Sequence, residues 1–317
     1  MSIQGISPLS IPTKSLLKKP IGSIPLAIIL KLNELLKKSV LSRKFYQEIN
    51  DKVLSKSSTV DANLYFICYF TLLISAVLNN QYKIKHWLKL QRFNLLNVIK
   101  RVLLNYLNID LSSSTNSPNK FLINLFNAPK PTFDEKEASK PSPIGKHFKA
   151  VSSYLSDIRI FNRLTESIKY APWIIDEFTA MTDPTNITPK SNRIINFLQS
   201  INCLVLELLE NAGWITDHNW VGTNDNDWWS FETYIWCSRI WGLYLVIEIV
   251  ELFRRTPISE WSNTNWKIAV FKQVIQVPLV LHWSLREGCL SPFWVGVCGS
   301  GASWWGFRDI WSSIDLS

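Results

Sequence analysis

The chain has 317 residues, 47% of them hydrophobic and 19% charged. It is therefore apolar enough to fold and less charged than the roughly 25% of an average soluble domain, which excludes disorder along its whole length. Glycine is scarce at 11 residues, so the glycine-punctuated strands of a sandwich or barrel are not expected. The net charge of +9 is uneven: residues 1–150 hold 22 Lys+Arg against 8 Asp+Glu, a balance of +14, and the other 167 hold 12 against 17, a balance of −5.

In chain order, residues 1–22 carry Pro8, Pro12 and Pro20 and read as a flexible lead-in to a basic helical region, 23–110. From Ile24, Ile28, Ile29, Leu32, Leu35 and Leu36 recur at helical spacing opposite Lys31, Glu34, Lys37 and Lys38. Ala62 to Tyr82 holds no formal charge. Its apolar part stops near Leu78, short of the roughly 20 residues of a spanning helix, so a buried or membrane-dipping helix is expected, with a true span as the alternative. Leu88 to Leu107 sets a stripe of Leu95, Leu96, Ile99, Val102, Leu103 and Tyr106 against Lys89, Arg92, Lys100 and Arg101. Helices that lie in an anionic lipid interface have this cationic-and-apolar pattern, although an ordinary surface helix has the same spacing.

Residues 111–147, opened by Ser112-Ser113-Ser114 and punctuated by Pro129, Pro131, Pro141 and Pro143, read as a polar linker. The region 148–313 then reads as Trp-rich and helical: Trp87 is the only tryptophan before residue 151 and 14 follow. Tryptophan prefers surfaces that are half apolar and half wet. Tyr154, Ile158, Phe161, Leu164 and Ile168 share one helical face; Thr182 to Asn192 is a polar break; Arg193 to Glu210 is helical; Asn211 to Trp229 reads as a loop. Phe231 to Phe253 is apolar but carries Glu232, Arg239, Glu248 and Glu251, too many charges for a clean span. Gly288 to Phe307 is uncharged and long enough to span, with Pro292 and three glycines also allowing a re-entrant hairpin. The fold expected is all-α: a membrane-associated helical protein with amphipathic helices and one or two membrane-embedded segments.

Catalytic patterns are missing from the sequence. His86, His147, His218 and His282 are isolated, and Asp225 and Asp227 flank Asn226 in what reads as a turn. No enzyme activity, cofactor or metal is expected. Five cysteines without a C-x-x-C pair point to reduced thiols. Cations and aromatics lie in different halves of the chain, which argues against nucleic acid.

The C-terminal part resembles the closing segment of the peroxisomal biogenesis factor 11 family. The resemblance is carried by Val277-Pro278-Leu279-Val280-Leu281-His282-Trp283-Ser284-Leu285, then Gly288, then Val295-Gly296-Val297-Cys298-Gly299-Ser300-Gly301-Ala302-Ser303, then Gly306 to Trp311. Upstream, Trp236 to Tyr244 is similar to the family's W-x-S-R-x-W helix, Glu207 to Trp214 to its D/E-N-x-x-W stretch, and Arg159, Arg163 and Leu164 to the skeleton of its basic amphipathic helix. Ile160 and Thr165-Glu166 stand where that helix carries further Lys, and Asp61 is loosely like the family's opening. The similarity runs over about residues 55–312, strongest in the last quarter, and suggests a divergent fungal-type branch. It implies a peroxisomal membrane protein that promotes proliferation, elongation or division by membrane remodelling and self-association. The implied partners are anionic membrane lipids, further copies or related family members, and fission machinery. A pore, a transporter or an adaptor for that machinery are alternatives. Expected lipid contacts are Lys89, Arg92, Lys100, Arg101, Arg159 and Arg163; the family-like C-terminal residues are Pro278, His282, Trp283, Gly288, Gly296, Gly299, Ser303 and Trp311. The first ten residues lack a signal peptide's charged start, and Asp315-Leu316-Ser317 is not a Ser-Lys-Leu matrix address.

Overall fold

A computed structural model describes residues 30–34, 42–107, 129–222 and 224–315, without the side chains of 103–107. The whole lead-in, most of the helix from Ile24, and the linker before residue 129 lie outside these. Among the described residues there are helices and no strands.

Helix α1, Arg43–Ile49, is capped by the Ser42 hydroxyl accepting from the Phe45 N–H and runs into a π-turn, Asn50–Leu54. Then come α2, Ser57–Asn79, and α3, Gln81–Leu107. They are split at Asn80, whose side chain donates back to the Ala76 carbonyl. A short helix α4, Glu135–Ala138, follows, and then α5, Pro143–Arg163. The start of α5 follows from local chemistry: the Ser142 hydroxyl accepts from Gly145 N–H, and Pro143 fills the first turn, where no N–H is needed. The linker therefore ends at Ser142 and not at residue 147. The remaining helices are α6 (Tyr170–Thr182), α7 (Lys190–Asp217), α8 (Asn226–Arg255), α9 (Thr264–Val274), α10 (Val277–Trp283) and α11 (Pro292–Ser312). The expected loop at 211–229 shrinks, because α7 continues to Asp217 and α8 begins at Asn226. The uncharged run 288–307 is not one helix: its first residues form a turn, and α11 starts at Pro292. Among the described residues α2 alone is long and apolar enough to cross a membrane, by length and composition.

The helices pack as a closed circuit: α2 on α5, α5 on α7, α7 on α8, α8 on α9 and α10, these on α11, and α11 back on α2. Helix α6 lies outside, on α7. The α2–α5 seam is antiparallel and repeats every seven residues. Ser75 donates to the Gly145 carbonyl (2.6 Å), Cys68 donates to the Ser152 carbonyl (3.3 Å), and Arg159 donates to Asp61 (2.9 Å). A seven-residue repeat keeps one face of each helix toward its neighbour. Here that face is built of small and polar residues, which let the backbones approach.

The interior is correspondingly polar. Among described residues, 16 polar or charged side chains are buried against 11 hydrophobic ones. Large apolar side chains face outward instead: Ile67, Phe70 and Val77 on α2; Ile194, Leu198, Val205 and Leu208 on α7; Trp236, Leu243, Val246, Val250 and Phe253 on α8. This reverses the usual partition of a water-soluble domain. The expected apolar stripe of α5 shows the same inversion, because Tyr154 and Phe161 are exposed while Gly145, Ser152 and Arg159 are buried.

Candidate functional site

Three features of the circuit carry chemistry: a projecting cationic helix, a buried ionic cluster and a central cavity.

Among the described residues, helix α3 contacts only the end of α2 and the short α4 to any extent. At 27 residues it is about 40 Å long at ~1.5 Å per residue. Between Gln81 and Leu107 the sequence has six Lys or Arg and no Asp or Glu. Ile84, Trp87, Leu88, Leu95, Val98, Ile99 and Val102 are all exposed and recur at helical spacing. Lys89, Arg92 and Arg101 are exposed beside this stripe, and Lys100 is half-buried. The expected stripe residue Leu96 is half-buried, and Leu103 and Tyr106 lie among the side chains outside the description.

Arg159 and Arg163 do not join this surface, which corrects their expected role against lipid headgroups. Arg159 is only 7% exposed. Its Nε donates to Asp61 Oδ1 at 2.9 Å, and its guanidinium lies 4.2 Å above the Tyr65 ring. Arg163 donates to Asp61 (3.2 Å) and to Glu210 (2.8 Å), tying α2, α5 and α7 together. A buried and a half-buried guanidinium need carboxylate partners, and Asp61 and Glu210 supply them. Sequence spacing places both arginines on one helical face but does not reveal that Asp61, on another helix, waits opposite. Glu207 borders the same cluster. It is 3% exposed, and its Oε1 has no hydrogen-bond partner. Burial, reinforced by the negative Glu210, raises its pKa to about 7.

The four charges that argue against a clean span in α8 are likewise engaged. Glu232 pairs with Arg286, Glu248 accepts from Gln199 (3.0 Å), Glu251 accepts from Arg254 and Arg255, and Arg239 lies over the Trp236 ring at 4.8 Å.

The C-terminal motif residues form two structural joints. At the first, Pro278 sits in the opening turn of α10, where its missing N–H costs nothing. His282 Nδ1 accepts from the backbone N–H groups of Cys289 (2.7 Å) and Leu290 (3.0 Å), so its proton resides on Nε2. Burial lowers its pKa. Gly288 at φ +65° lets the chain turn under the ring, where a Cβ would collide with the imidazole. Trp283 stacks on Trp241 and touches Tyr69. The second joint is α11 on α2. Gly296 abuts Leu73, Gly299 lies under the Tyr69 ring, the Ser303 hydroxyl donates to the Gly299 carbonyl, and Trp311 Nε1 donates to Asn63 Oδ1 at 2.6 Å. Glycines and serines are needed here because two helix backbones meet.

Between these joints lies a half-open cavity of about 750 Å³, walled by α2, α5, α7, α8, α10 and the turn after α10. Its aromatic lining comprises Tyr65, Tyr69, Phe231, Tyr234, Trp241 and Trp283. Composition signals many aromatics in this half of the chain, but not that they converge.

Comparison with protein-family models, with curated proteins and with solved structures finds no match to this chain.

Proposed function

We propose that the chain is a peroxisomal membrane protein that remodels membranes, with α3 as the element that inserts into one leaflet. The observation that carries this reading is the exposed apolar stripe of α3, flanked by cations and free of carboxylates, on a helix projecting from its body. A helix wedged into one leaflet expands it and favours curvature, with burial contributing about 0.8 kcal/mol per CH₂. Anionic lipid adds about 1 kcal/mol per Lys or Arg near the surface. The outward apolar faces of α2, α7 and α8 support the same reading, since they are as well solvated by acyl chains or by another copy as the small-residue seams are by each other. The peroxisomal assignment rests on the resemblance of the 277–311 motifs, which also suggests self-association with like or related chains and engagement of fission machinery.

The test has two arms. A fluorescently tagged chain should mark peroxisomes, remain with the membrane fraction and change peroxisome number or length when deleted. The purified chain should tubulate vesicles rich in phosphatidylserine. A chain diffuse in the cytosol, with peroxisomes unchanged on deletion, refutes the peroxisomal role; vesicles left unbound refute the mechanism.

A further inference from the structure

We propose that the central cavity binds an organic cation of the quaternary-ammonium class, the chemistry of a choline group. This inference stands on the cavity alone and does not depend on the membrane reading. Five rings, Tyr65 and Tyr69 of α2, Tyr234 and Trp241 of α8 and Trp283 of α10, converge on it. The electron-rich faces of such rings attract cations, tryptophan most strongly, by up to about 2 kcal/mol where water is excluded. Arg159 already lies over the Tyr65 ring, which leaves Tyr69, Tyr234, Trp241 and Trp283 as the rings open to a ligand.

Charge selects the sign of the ligand. Three arginines line the cavity, but each is engaged: Arg159 by Asp61, Arg163 by Asp61 and Glu210, and Arg286 by Glu232. Arg159 and Arg163, held between helices by carboxylates, are poorly placed to receive a phosphate or carboxylate; Arg286 is 62% exposed and has one carboxylate partner. Three further lining carboxylates, Asp157, Asp217 and Glu287, have no Lys or Arg partner among the described residues; Asp157 and Asp217 lie near His218. The lining therefore carries surplus negative charge. Asp217 and Glu287 are exposed, whereas the five rings are half-buried. A wall of rings suits a diffuse charge that requires no hydrogen bonds, and a trimethylammonium group has that character. The volume lies in the range of about 300–1,000 Å³ that encloses drug-sized ligands and leaves room for more than the ammonium group. A free choline compound and the headgroup of a choline phospholipid are the two sources of this chemistry.

The experiment is calorimetric titration of the full-length chain in maltoside micelles, without vesicles. Its probes are choline, the neutral isostere 3,3-dimethylbutan-1-ol and dihexanoylphosphatidylcholine. Choline should bind saturably, about tenfold or more tighter than the isostere, because only it carries the charge. The double variant Asp217→Asn/Glu287→Gln, both at exposed positions, should weaken choline about three- to tenfold, leave the isostere unaffected and keep the helical circular dichroism of the parent. Tighter binding of the phospholipid than of choline assigns a lipid headgroup; equal or weaker binding assigns a soluble cation. Absence of choline binding, equal binding of choline and the isostere, or unchanged affinity in the double variant overturns the proposal.

Discussion

Removing charge from α3 tests the proposed wedge without disturbing the fold. Lys89, Arg92 and Arg101 are exposed, and replacing all three with Gln takes half of the six cations from a helix that has no acidic residue. At about 1 kcal/mol per residue near an anionic surface, the loss is about 3 kcal/mol. That corresponds to a fall in vesicle partitioning of roughly 10²-fold, at ~1.4 kcal/mol per tenfold. Leu95→Ala, at a position 61% exposed, should cost about 2 kcal/mol of binding, or roughly 30-fold, by removing three carbons from the inserted face. Neither variant should move folding stability by more than about 0.5 kcal/mol, since neither touches a buried contact. Co-flotation with vesicles of phosphatidylcholine and phosphatidylserine, at low and high salt, measures binding; chemical denaturation measures stability. The charge-depleted variant should also lose about half of the parent's salt dependence. Retained flotation by that variant, or parent binding indifferent to salt, would show that α3 is not the lipid-contacting element.

Arg159→Gln should instead cost about 3–5 kcal/mol of stability, because it leaves Asp61 facing α5 with half its compensation gone, while vesicle binding by the still-folded fraction stays unchanged. A selective loss of lipid binding at unaltered stability would return Arg159 to the membrane surface. Glu207 gives a pH signature. Its folded-state pKa of about 7 lies above the ordinary glutamate value of 4.5, so its contribution to stability is fully present below pH 4.5 and is lost as pH rises through 7. Glu207→Gln should abolish that component, raising stability relative to the parent by on the order of 2–3 kcal/mol at pH 8 and by little at pH 4.5. Parallel denaturation profiles for parent and variant across this range would refute it. Gly299→Ala drives a methyl group into the Tyr69 ring and should destabilise the α11–α2 seam by about 1–3 kcal/mol, read as a lowered melting temperature. A neutral result would mean that the seam is looser than the contacts imply.

Much of this architecture is legible in the sequence, and the part that is not has a common cause. Periodicity locates the helical stretches, and the uncharged run after Asp61 coincides with most of α2. The cationic stripe of α3 is readable because that helix has few neighbours among the described residues: where little packs, the helix's own spacing decides what water or lipid meets. Spacing within one helix cannot say which of two faces turns inward. On α5 the apolar stripe of Tyr154 and Phe161 looks like a core face, yet the buried line is Gly145, Ser152 and Arg159, because α2 offers Ser75, Cys68 and Asp61 in matching antiparallel register. Only that register changes Arg159 from a candidate lipid contact into the partner of a carboxylate 98 residues away. The raised pKa of Glu207 and the convergence of five rings on one cavity have the same origin. Both depend on which distant helices close the circuit, a property of tertiary packing that no local window of residues contains.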